Sequence, residues 1–396
     1  MAVYSEVKLA PSKPPVWRDP AYRTMFAQAT TIVLVAAFGW YVVSNTIHNL
    51  QKENIASGFA FLDRTAGFAI TTSLIEYTEN SSYGRAFLVG LLNTIVISAL
   101  GIVCATALGF LIGIARLSSN WLVAKLATAF VEIIRNTPLL LQIFFWYFAV
   151  LRALPPARQS LAAFDTVFLN IRGLYVPRPI FEPGFESGPI AFLAAIALAI
   201  VLRRWARKRF EATGRLFPAG WASLGLIVGL PLLALAVTGF PLGWNYPKLQ
   251  GFNFTGGMVI VPEFVSMLLG LTIYTASYIA EIVRAGILAV SHGQTEASGA
   301  LGLSRVQTLR LVVIPQAMRV IIPPLTSQYL NLTKNSSLGA AIAYPELVHV
   351  FMGTVLNQTG QAVETVGVGM LVYLTISLSI SFGMNLYNRK MALVER

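Results

Sequence analysis

The sequence predicts an all-α integral membrane protein with about eight transmembrane helices, and two observations lead to this fold class. The first is composition: 56% of the 396 residues are hydrophobic and only 12% are charged, whereas soluble domains carry about 25% charged residues. The second is clustering, because the apolar residues form stretches of about 20 residues, the length of helix that crosses the hydrocarbon core.

Eight such stretches follow one another along the chain. They lie at residues 27–47, 87–114, 127–151, 189–202, 216–239, 264–284, 317–333 and 366–388. No small-residue cleavage site follows the first stretch, so we expect a retained helix rather than a signal peptide. The fourth stretch is the shortest. It could therefore be a tilted helix, part of a longer helix or a helix at the membrane interface.

Lysine and arginine residues predict the orientation of these spans. With a cytoplasmic N-terminus, the inner segments would be residues 1–26, 115–126, 203–215, 291–319 and 389–396. These segments hold 18 of the 29 basic residues, and the run Arg203–Arg209 alone would keep its loop inside. Because loops rich in Lys and Arg stay in the cytoplasm, we expect both termini there, in a multi-pass membrane protein.

Several kinds of site are excluded by the sequence. Cys104 is the one cysteine, and His48, His292 and His349 are far apart, so neither a disulfide nor a metal site is expected. No Gly-x-x-x-x-Gly-Lys-Ser/Thr motif occurs, so the chain lacks a P-loop for ATP. The basic residues lie in short runs between apolar segments, which argues against nucleic-acid binding. No catalytic residue is predicted.

The third span carries a charged residue where charges are costly. Arg135 would lie about 14 Å into the span, given a rise of about 1.5 Å per residue, and such a residue usually faces a cavity or a partner. Glu132 is close enough on the same face to neutralise it, and Pro138 frees the backbone carbonyl of Ile134. A structural ion pair between two helices is the alternative. The ligand-pathway candidates in this segment are Arg135, Asn136, Thr137 and Gln142.

The seventh span is interrupted by prolines and polar residues. Pro323 and Pro324 predict a kink, and the polar stretch 331–337 then predicts a break in the helix. Broken helices of this kind form ligand sites in transporters. The alternative is that Lys334 only extends to the outer membrane interface. The pathway candidates here are Lys334, Asn335, Ser336 and Ser337.

The segment between the sixth and seventh spans, residues 293–316, is too polar to cross the membrane. A short helix is predicted from Glu296 to Leu301, with Gly302 as its C-terminal stop and Ser304 as the N-cap of a second helix. Two helices and a tight turn would give a rigid projection for a partner protein. A plain interhelical linker, the alternative, would not need them.

This segment resembles the coupling loop, called the EAA loop, of ABC importer permeases. The family pattern is Glu-Ala-Ala, then Gly, then Ile-x-Leu-Pro; here Ser298 replaces the second Ala, and Ile314 precedes the Pro. The resemblance implies that this loop contacts ATPase subunits. The residues implied are Glu296, Ala297, Ser298, Gly302, Leu303, Ser304 and Pro315.

Neighbouring segments narrow the resemblance to permeases of polar amino-acid importers. The similar segments are residues 132–142, 278–286, 315–319, 323–325 and 334–338, with Asn136 where many members have Gly. The chain length and the aromatic run 144–148 resemble the larger permease subunits of general or acidic amino-acid importers. Together these similarities cover roughly residues 85–155 and 260–390.

The resemblance implies a division of the chain. A type I ABC importer permease core would comprise residues 87–155 and 261–396, the second part including the coupling loop 291–316. A cytoplasmic tail, 1–26, and an additional helix with an external loop, 27–86, would precede the core. Residues 156–260, with two spans and an external loop, would be an insertion.

The same resemblance implies a location in the bacterial inner membrane, a set of partners and a mechanism. A separate pair of ATPase subunits would bind ATP and Mg, so this chain would hold no cofactor and would not be an enzyme. A second, homologous permease would complete a heterodimer, and a periplasmic binding protein would deliver an amino acid. ATP-driven closure of the ATPase pair would then switch the spans in the bilayer between inward-open and outward-open states.

A zwitterionic ligand requires donors for its carboxylate and acceptors or aromatic faces for its ammonium group. Arg135, Lys334 or free backbone N–H groups at 335–337 could serve the carboxylate. Tyr274, Tyr278 or Gln142 could serve the ammonium group. Glu132, Glu281 and Arg284 are expected to form gate or structural ion pairs.

Rival functions stay open at the level of sequence. An ion-coupled secondary transporter would explain the spans and buried charges without needing the coupling loop. An ABC permease for a different small solute would keep the loop and change the ligand. A channel or a membrane enzyme fits less well, because no filter sequence and no catalytic cluster is visible.

Overall fold

The computed structural model describes residues 19–52 and 57–391, and this part of the chain is mainly helical. Most of the predicted N-terminal tail, residues 1–18, and the last residues, 392–396, lie outside the described residues. The long helices are α1 (Pro20–Lys52), α2 (Tyr83–Ala115), α3 (Trp121–Arg135), α4 (Leu139–Phe144, extended by a π-helical turn to Leu151), α5 (Ser187–Thr213), α6 (Ala219–Val237) and α7 (Pro262–Leu288). They are followed by the short helices α8 (His292–Ala300) and α9 (Arg305–Thr308), then α10 (Ile314–Asn335), α11 (Leu356–Thr359) and α12 (Ala362–Met391).

Within the described ranges, seven helical segments are long and apolar enough to cross a membrane, and an eighth span results if one bent pair is counted as a span. The bent pair is the predicted third span. It divides into α3 and residues 139–151, whose axes meet at 103°. The prediction of one continuous helix over 127–151 is therefore wrong, because Pro138 cannot continue the backbone hydrogen bonding of α3.

The shortest predicted span, 189–202, is part of α5, a full-length helix of 27 residues. The basic run Arg203–Arg209 belongs to the same helix and not to a loop. Arg and Lys are good helix formers, so the helix continues until Gly214, which ends it with a φ of +66°. Helix α6 then returns alongside α5, and the two form a hairpin.

The described residues also contain eight short strands at one end of the bundle, which were not predicted. They are β1 (Leu161–Ala163), β2 (Val167–Asn170), β3 (Gly173–Val176), β4 (Arg178–Phe181), β5 (Leu242–Asn245), β6 (Lys248–Gln250), β7 (Asn253–Thr255) and β8 (Met258–Ile260). The antiparallel order β1-β2-β3-β8 forms one sheet, and β4-β5 and β6-β7 form two ribbons. We call residues 161–181 and 242–260 the β module. It joins segments from both sides of the α5–α6 hairpin.

Helices α2 and α7 form the centre of the molecule. Apolar residues of α7 such as Met267, Leu271 and Ile279 are fully buried against α2 and α10. Two glycines of α2 allow close contact: a Cβ atom on Gly109 would lie 2.6 Å from Cβ of Ile279, and one on Gly113 would lie 2.8 Å from the carbonyl oxygen of Ala280. Small residues at such crossings let helix backbones approach closely in lipid.

A second cluster fixes the loop after α1. Phe61, in a short 3-10 helix at 60–63, stacks on Phe351 with ring centroids 6.2 Å apart. Phe351 belongs to a π-helical segment, residues 348–355, that precedes α12. The loop between α1 and α2 is thus packed onto the bundle at the end that carries the β module.

We expect Gly109→Ala to destabilise the protein, because its methyl group would collide with α7. Overpacking of this kind costs about 1–3 kcal/mol. Thermal unfolding of the purified protein in detergent would measure the loss. The matched control is Gly225→Ala in α6, where no atom lies within 4 Å of the added Cβ position. An equal effect of the two substitutions would contradict the close α2–α7 contact.

Candidate translocation site and coupling loop

The corner between α3 and α4 is held by Gln142. Its Nε2 atom donates to the backbone carbonyls of Ile134 and Thr137, both at 3.0 Å. These carbonyls lie at the end of α3, where Pro138 cannot supply a backbone donor. The Oε1 atom of Gln142 is buried, and it has no hydrogen-bond partner in the described part of the chain. Its amide nitrogen already donates two hydrogen bonds. Its oxygen is still able to accept a hydrogen bond, as an ammonium group would require.

Three of the predicted pathway residues lie together beside this corner. The guanidinium carbon of Arg135, the last residue of α3, lies 5.0 Å from the ring centroid of Tyr278 in α7. The Tyr278 hydroxyl lies 3.1 Å from that of Tyr274 one turn earlier. Among the described residues Arg135 forms no ion pair with Glu132, so the neutralising pair predicted from their spacing is wrong. The end of α3 instead directs Arg135 onto the aromatic face of α7.

The other two pathway candidates in this segment are Asn136 and Thr137, which have their own local roles at the end of α3. Asn136 is the exposed C-cap residue of α3. Thr137 donates its hydroxyl to the carbonyl of Ile133 at 2.9 Å. These two residues therefore lie next to the Arg135–Tyr278 contact, with the Thr137 donor already satisfied.

The predicted break at 331–337 does not form. Helix α10 runs through Pro323 and Pro324 to Asn335 and continues as a 3-10 helix, residues 336–342. The backbone N–H of Ser336 donates to the carbonyl of Leu332, so a donor that was predicted to be free is already used. Inside a bundle, prolines are tolerated because local adjustments and neighbouring helices satisfy the freed backbone groups.

A cavity of about 440 Å³ lies beside this region, between the end of α10 and α12. Lys334 and Ser337 line it together with Tyr373, and most of the remaining surface is apolar. Lys334 is exposed there, and the Ser337 hydroxyl donates to the Lys334 carbonyl at 2.8 Å. The structure therefore separates the predicted pathway residues into two places, one at the α3–α7 contact and one at this cavity.

A buried carboxylate next to the cavity was missed by sequence reasoning. Glu346 is fully buried, and it accepts hydrogen bonds from the backbone N–H groups of Val348 and His349 at 2.8 and 2.7 Å. Tyr373 of α12 donates to it at 3.1 Å. Glu346 thus fixes the start of the π-helical segment 348–355 and ties it to α12. The sequence feature that could have indicated it is a glutamate directly before an apolar helical segment.

Toward the C-terminal end of α7, Glu281 links this helix to α2. Arg284 donates to its Oε1 atom at 2.6 Å, and Arg116 at the end of α2 forms an ion pair with its Oε2 atom. The pair of Glu281 with Arg284 is the one that the spacing predicted, whereas Arg116 was not recognised as a partner. Only 10% of the Arg116 side chain is exposed. A role of this cluster as a gate stays a prediction.

The coupling loop has the predicted helix–turn–helix form. Helix α8 ends before Gly302, which has a φ of +74°. Ser304 then starts α9 with a capping box in which its hydroxyl accepts from the N–H of Gln307. The Ser298 hydroxyl donates to that of Thr308 at 3.1 Å and links the two short helices. Ser298, where the family pattern has Ala, therefore stabilises the turn.

The outer surface of this loop is exposed. Oε1 of Glu296 lies 3.0 Å from Nδ1 of His292 and accepts a hydrogen bond from it in the tautomer that carries a proton there, and both side chains face solvent. Leu301 is 81% exposed and Val306 is 72% exposed. The two short helices thus present apolar as well as charged side chains on their outer surface. Leu303 and Pro315 flank the same two helices.

These features define a helical membrane permease with a projecting coupling loop. The chain belongs to the family of binding-protein-dependent transport system inner membrane components, whose pattern matches residues 105–393. The resemblance to ABC importer permeases is thereby confirmed. The chain is therefore a membrane-embedded permease subunit of this family.

Individual relatives are similar over nearly the whole chain. The putative amino-acid ABC transporter permease YhdX of Escherichia coli is 55% identical over 96% of both chains. The general L-amino acid transport system permease AapQ of Rhizobium johnstonii is 55% identical over 96% of this chain and 94% of its own. BztB of Rhodobacter capsulatus, from a glutamate/glutamine/aspartate/asparagine system, is 41% identical over 96% of both chains. A solved amino acid ABC transporter with histidines aligns at 19% identity with a TM-score of 0.45, covering 78% of this chain and 95% of its own.

We expect Glu281→Gln to destabilise the protein, because it leaves the guanidinium groups of Arg116 and Arg284 without their shared carboxylate. Removing one partner of a partly buried ion pair should cost about 1–3 kcal/mol. The control is Glu211→Gln, which removes the exposed pair with Arg207 and should cost less than about 1 kcal/mol. Thermal unfolding in detergent would compare the two variants. Equal losses would show that the cluster does not hold α2 to α7.

Proposed function

We propose that this chain is the larger permease subunit of an importer that moves amino acids from the periplasm into the cytoplasm. The observation that carries the proposal is the rigid, exposed helix–turn–helix of α8 and α9 in a chain of this family. The cargo is inferred from relatives of 55% identity that are described as amino-acid permeases. Transport would proceed by alternating access, and ATP hydrolysis would take place in separate subunits.

The polar residues along the spans suit a zwitterionic cargo. Neither Arg135 nor Lys334 forms an ion pair within residues 19–52 and 57–391, so each guanidinium or ammonium group is available to a ligand carboxylate. Tyr274 and Tyr278 offer aromatic faces and hydroxyl groups to an ammonium group. Gln142 adds an acceptor oxygen that has no partner among the described residues. The remaining members of the proposed pathway, at the end of α10, are Asn335, Ser336 and Ser337.

The coupling surface would be formed by residues 292–308 and the residues that flank them. Glu296 presents a carboxylate, and Ala297, Ser298 and Gly302 shape the turn behind it. Leu303, Ser304 and Pro315 would orient the second helix. Movement of an ATPase subunit against this loop would reach the spans directly, because the loop continues through a π-helical turn into α10.

Charge and chain division support an orientation in the bilayer. The basic end of α5 and the coupling loop would lie in the cytoplasm together with both termini. The β module and the loop before α2 would then face the periplasm. In this arrangement residues 87–155 and 261–396 form the transport core, and α1 and residues 156–260 are additions to it.

The proposal includes partners that complete the transporter. Two ATPase subunits would bind ATP and Mg, which this chain, without a P-loop, leaves to them. A second, homologous permease would pair with this one as a heterodimer. A periplasmic amino-acid-binding protein would deliver the substrate to the end that carries the β module.

The principal rival is an ion-coupled secondary transporter, and an ABC permease for another solute is the second. A secondary transporter would have no ATPase subunit for the exposed helix–turn–helix to contact. Transport by such a protein would persist without ATP. The ABC importer and the secondary transporter therefore differ in whether uptake requires ATP, which a single reconstitution experiment measures.

We expect Glu296→Lys to abolish coupling, because a reversed charge would face the partner at the centre of the loop. Uptake of labelled glutamate, glutamine, aspartate and leucine would be followed in proteoliposomes that hold the full transporter, with and without ATP. Uptake should fall about tenfold or more, since like charges in a protein interface cost several kcal/mol. The ATPase subunits should also co-purify less well.

Glu211→Lys is the matched control for this substitution. Glu211 is an exposed acidic residue at the end of α5, and its reversal should leave uptake unchanged. Uptake that persists without ATP in the Glu296→Lys variant would favour the secondary transporter. If the unmodified transporter takes up none of these amino acids in the presence of ATP, the proposed cargo is refuted.

A further inference from the structure

A second cavity, lined by both charged and apolar residues, lies at the end of the bundle that carries the β module. Its volume is about 450 Å³, within the range of about 300–1,000 Å³ that is usual for small-molecule pockets. Five separate parts of the chain contribute to it, namely the loop before α2 (Thr71), the end of the α4 extension (Arg152), the β2–β3 turn (Arg172), the start of α7 (Glu263) and the residue after the 3-10 helix (Ala343). None of these residues belongs to the site described above.

Three charged side chains line this cavity, and Arg172 is the one most open to a ligand. In the described part of the chain, the Arg172 guanidinium forms neither a hydrogen bond nor an ion pair. Its backbone is nevertheless held firmly, because the N–H of Arg172 donates to Oδ1 of Asn170 at 2.8 Å. Asn170 is fully buried, and its amide donates to the Ser160 hydroxyl at 2.9 Å. A rigid turn therefore presents a cation to the cavity.

The other two charges are held by a shared phenol. Tyr147 donates its hydroxyl to Oε1 of Glu263 at 2.8 Å and accepts from Nη2 of Arg152 at 3.0 Å. The guanidinium of Arg152 also lies 5.2 Å from the Tyr147 ring centroid. Arg152 and Glu263 therefore keep fixed positions without neutralising each other in a direct ion pair. Each retains capacity for a ligand of opposite charge.

We propose that this cavity is a further binding site for free α-amino acids, with a preference for acidic over basic side chains. The ligand carboxylates would bind Arg152 and Arg172, and the ammonium group would bind Glu263. Two guanidinium groups and one carboxylate leave a net positive charge, which favours glutamate over arginine. The identity of the ligand rests on the proposed function, because the site takes the same cargo before it enters the spans.

The site depends on the segment between the two halves of the core. Arg172 belongs to the β module, and the Ile171 N–H donates to the Pro155 carbonyl at 3.0 Å, which anchors the turn beside the bundle. A permease without residues 156–260 would lack Arg172 and one wall of the cavity. The β module would thus contribute directly to substrate binding.

The first experiment measures binding to the purified full transporter without ATP and without the periplasmic binding protein. Equilibrium dialysis with labelled glutamate, glutamine and arginine would give dissociation constants for the unmodified protein and for Arg172→Gln. We expect glutamate to bind most tightly, and its binding to weaken about tenfold or more in the variant, the usual effect of losing one charge-assisted hydrogen bond. Arg178→Gln, an exposed arginine in β4 outside the cavity, removes the same charge and should change nothing.

The second experiment tests whether Glu263 binds the ammonium group of the ligand. Glu263→Gln should weaken the binding of glutamate about tenfold or more but should not weaken that of glutarate, which has both carboxylates and no ammonium group. A substitution that merely distorted the cavity would weaken both ligands equally. The ratio of the two dissociation constants therefore separates recognition from structural damage.

Three outcomes would overturn the proposal. They are the absence of saturable binding to the unmodified transporter, equal binding by the Arg172→Gln and Arg178→Gln variants, and equal losses for glutamate and glutarate in Glu263→Gln. ATP-dependent uptake by the same preparation in proteoliposomes is measured in parallel. If uptake is present and binding fails these tests, only this site is refuted; if uptake of every amino acid is absent, the proposed function fails first.

Discussion

The close contact between α2 and α7 is the constraint on which the rest of the structure depends. In lipid, apolar side chains gain little by leaving their surroundings, so helices associate through tight packing and polar contacts. Gly109 and Gly113 allow this packing, and the ion pairs of Glu281 with Arg116 and Arg284 secure the same two helices at one end. The other spans are arranged around this pair, with α10 against α7 and α12 against α10.

This central pair also positions the two regions that are proposed to take part in transport. Helix α7 carries Tyr274 and Tyr278 on the side that meets Arg135, and its end leads directly into α8 of the coupling loop. Its start carries Glu263 at the cavity beside the β module. One helix therefore connects the cavity beside the β module, the α3–α7 contact and the loop formed by α8 and α9.

Local chemistry explains which features were predictable. The coupling loop follows from neighbouring residues alone, since Gly302 supplies the left-handed turn and Ser304 and Gln307 complete a capping box. The spans follow from apolar length, and the Glu281–Arg284 pair follows from helical spacing. By contrast, the Glu132–Arg135 pair failed although its spacing was equally good, because Tyr278 of another helix offered Arg135 a competing contact.

The sequence by itself determined the membrane class, the position of most of the long apolar helices and the form of the coupling loop, because each depends on composition or on residues within a few positions of one another. Only the tertiary structure decided the 103° corner after α3, the continuity of α10 and the β module. It also decided the surroundings of Glu346 and of the cavity at Arg172. These features depend on contacts between residues far apart in the chain, and no local pattern specifies which distant segment will satisfy a freed carbonyl, a buried carboxylate or a strand edge.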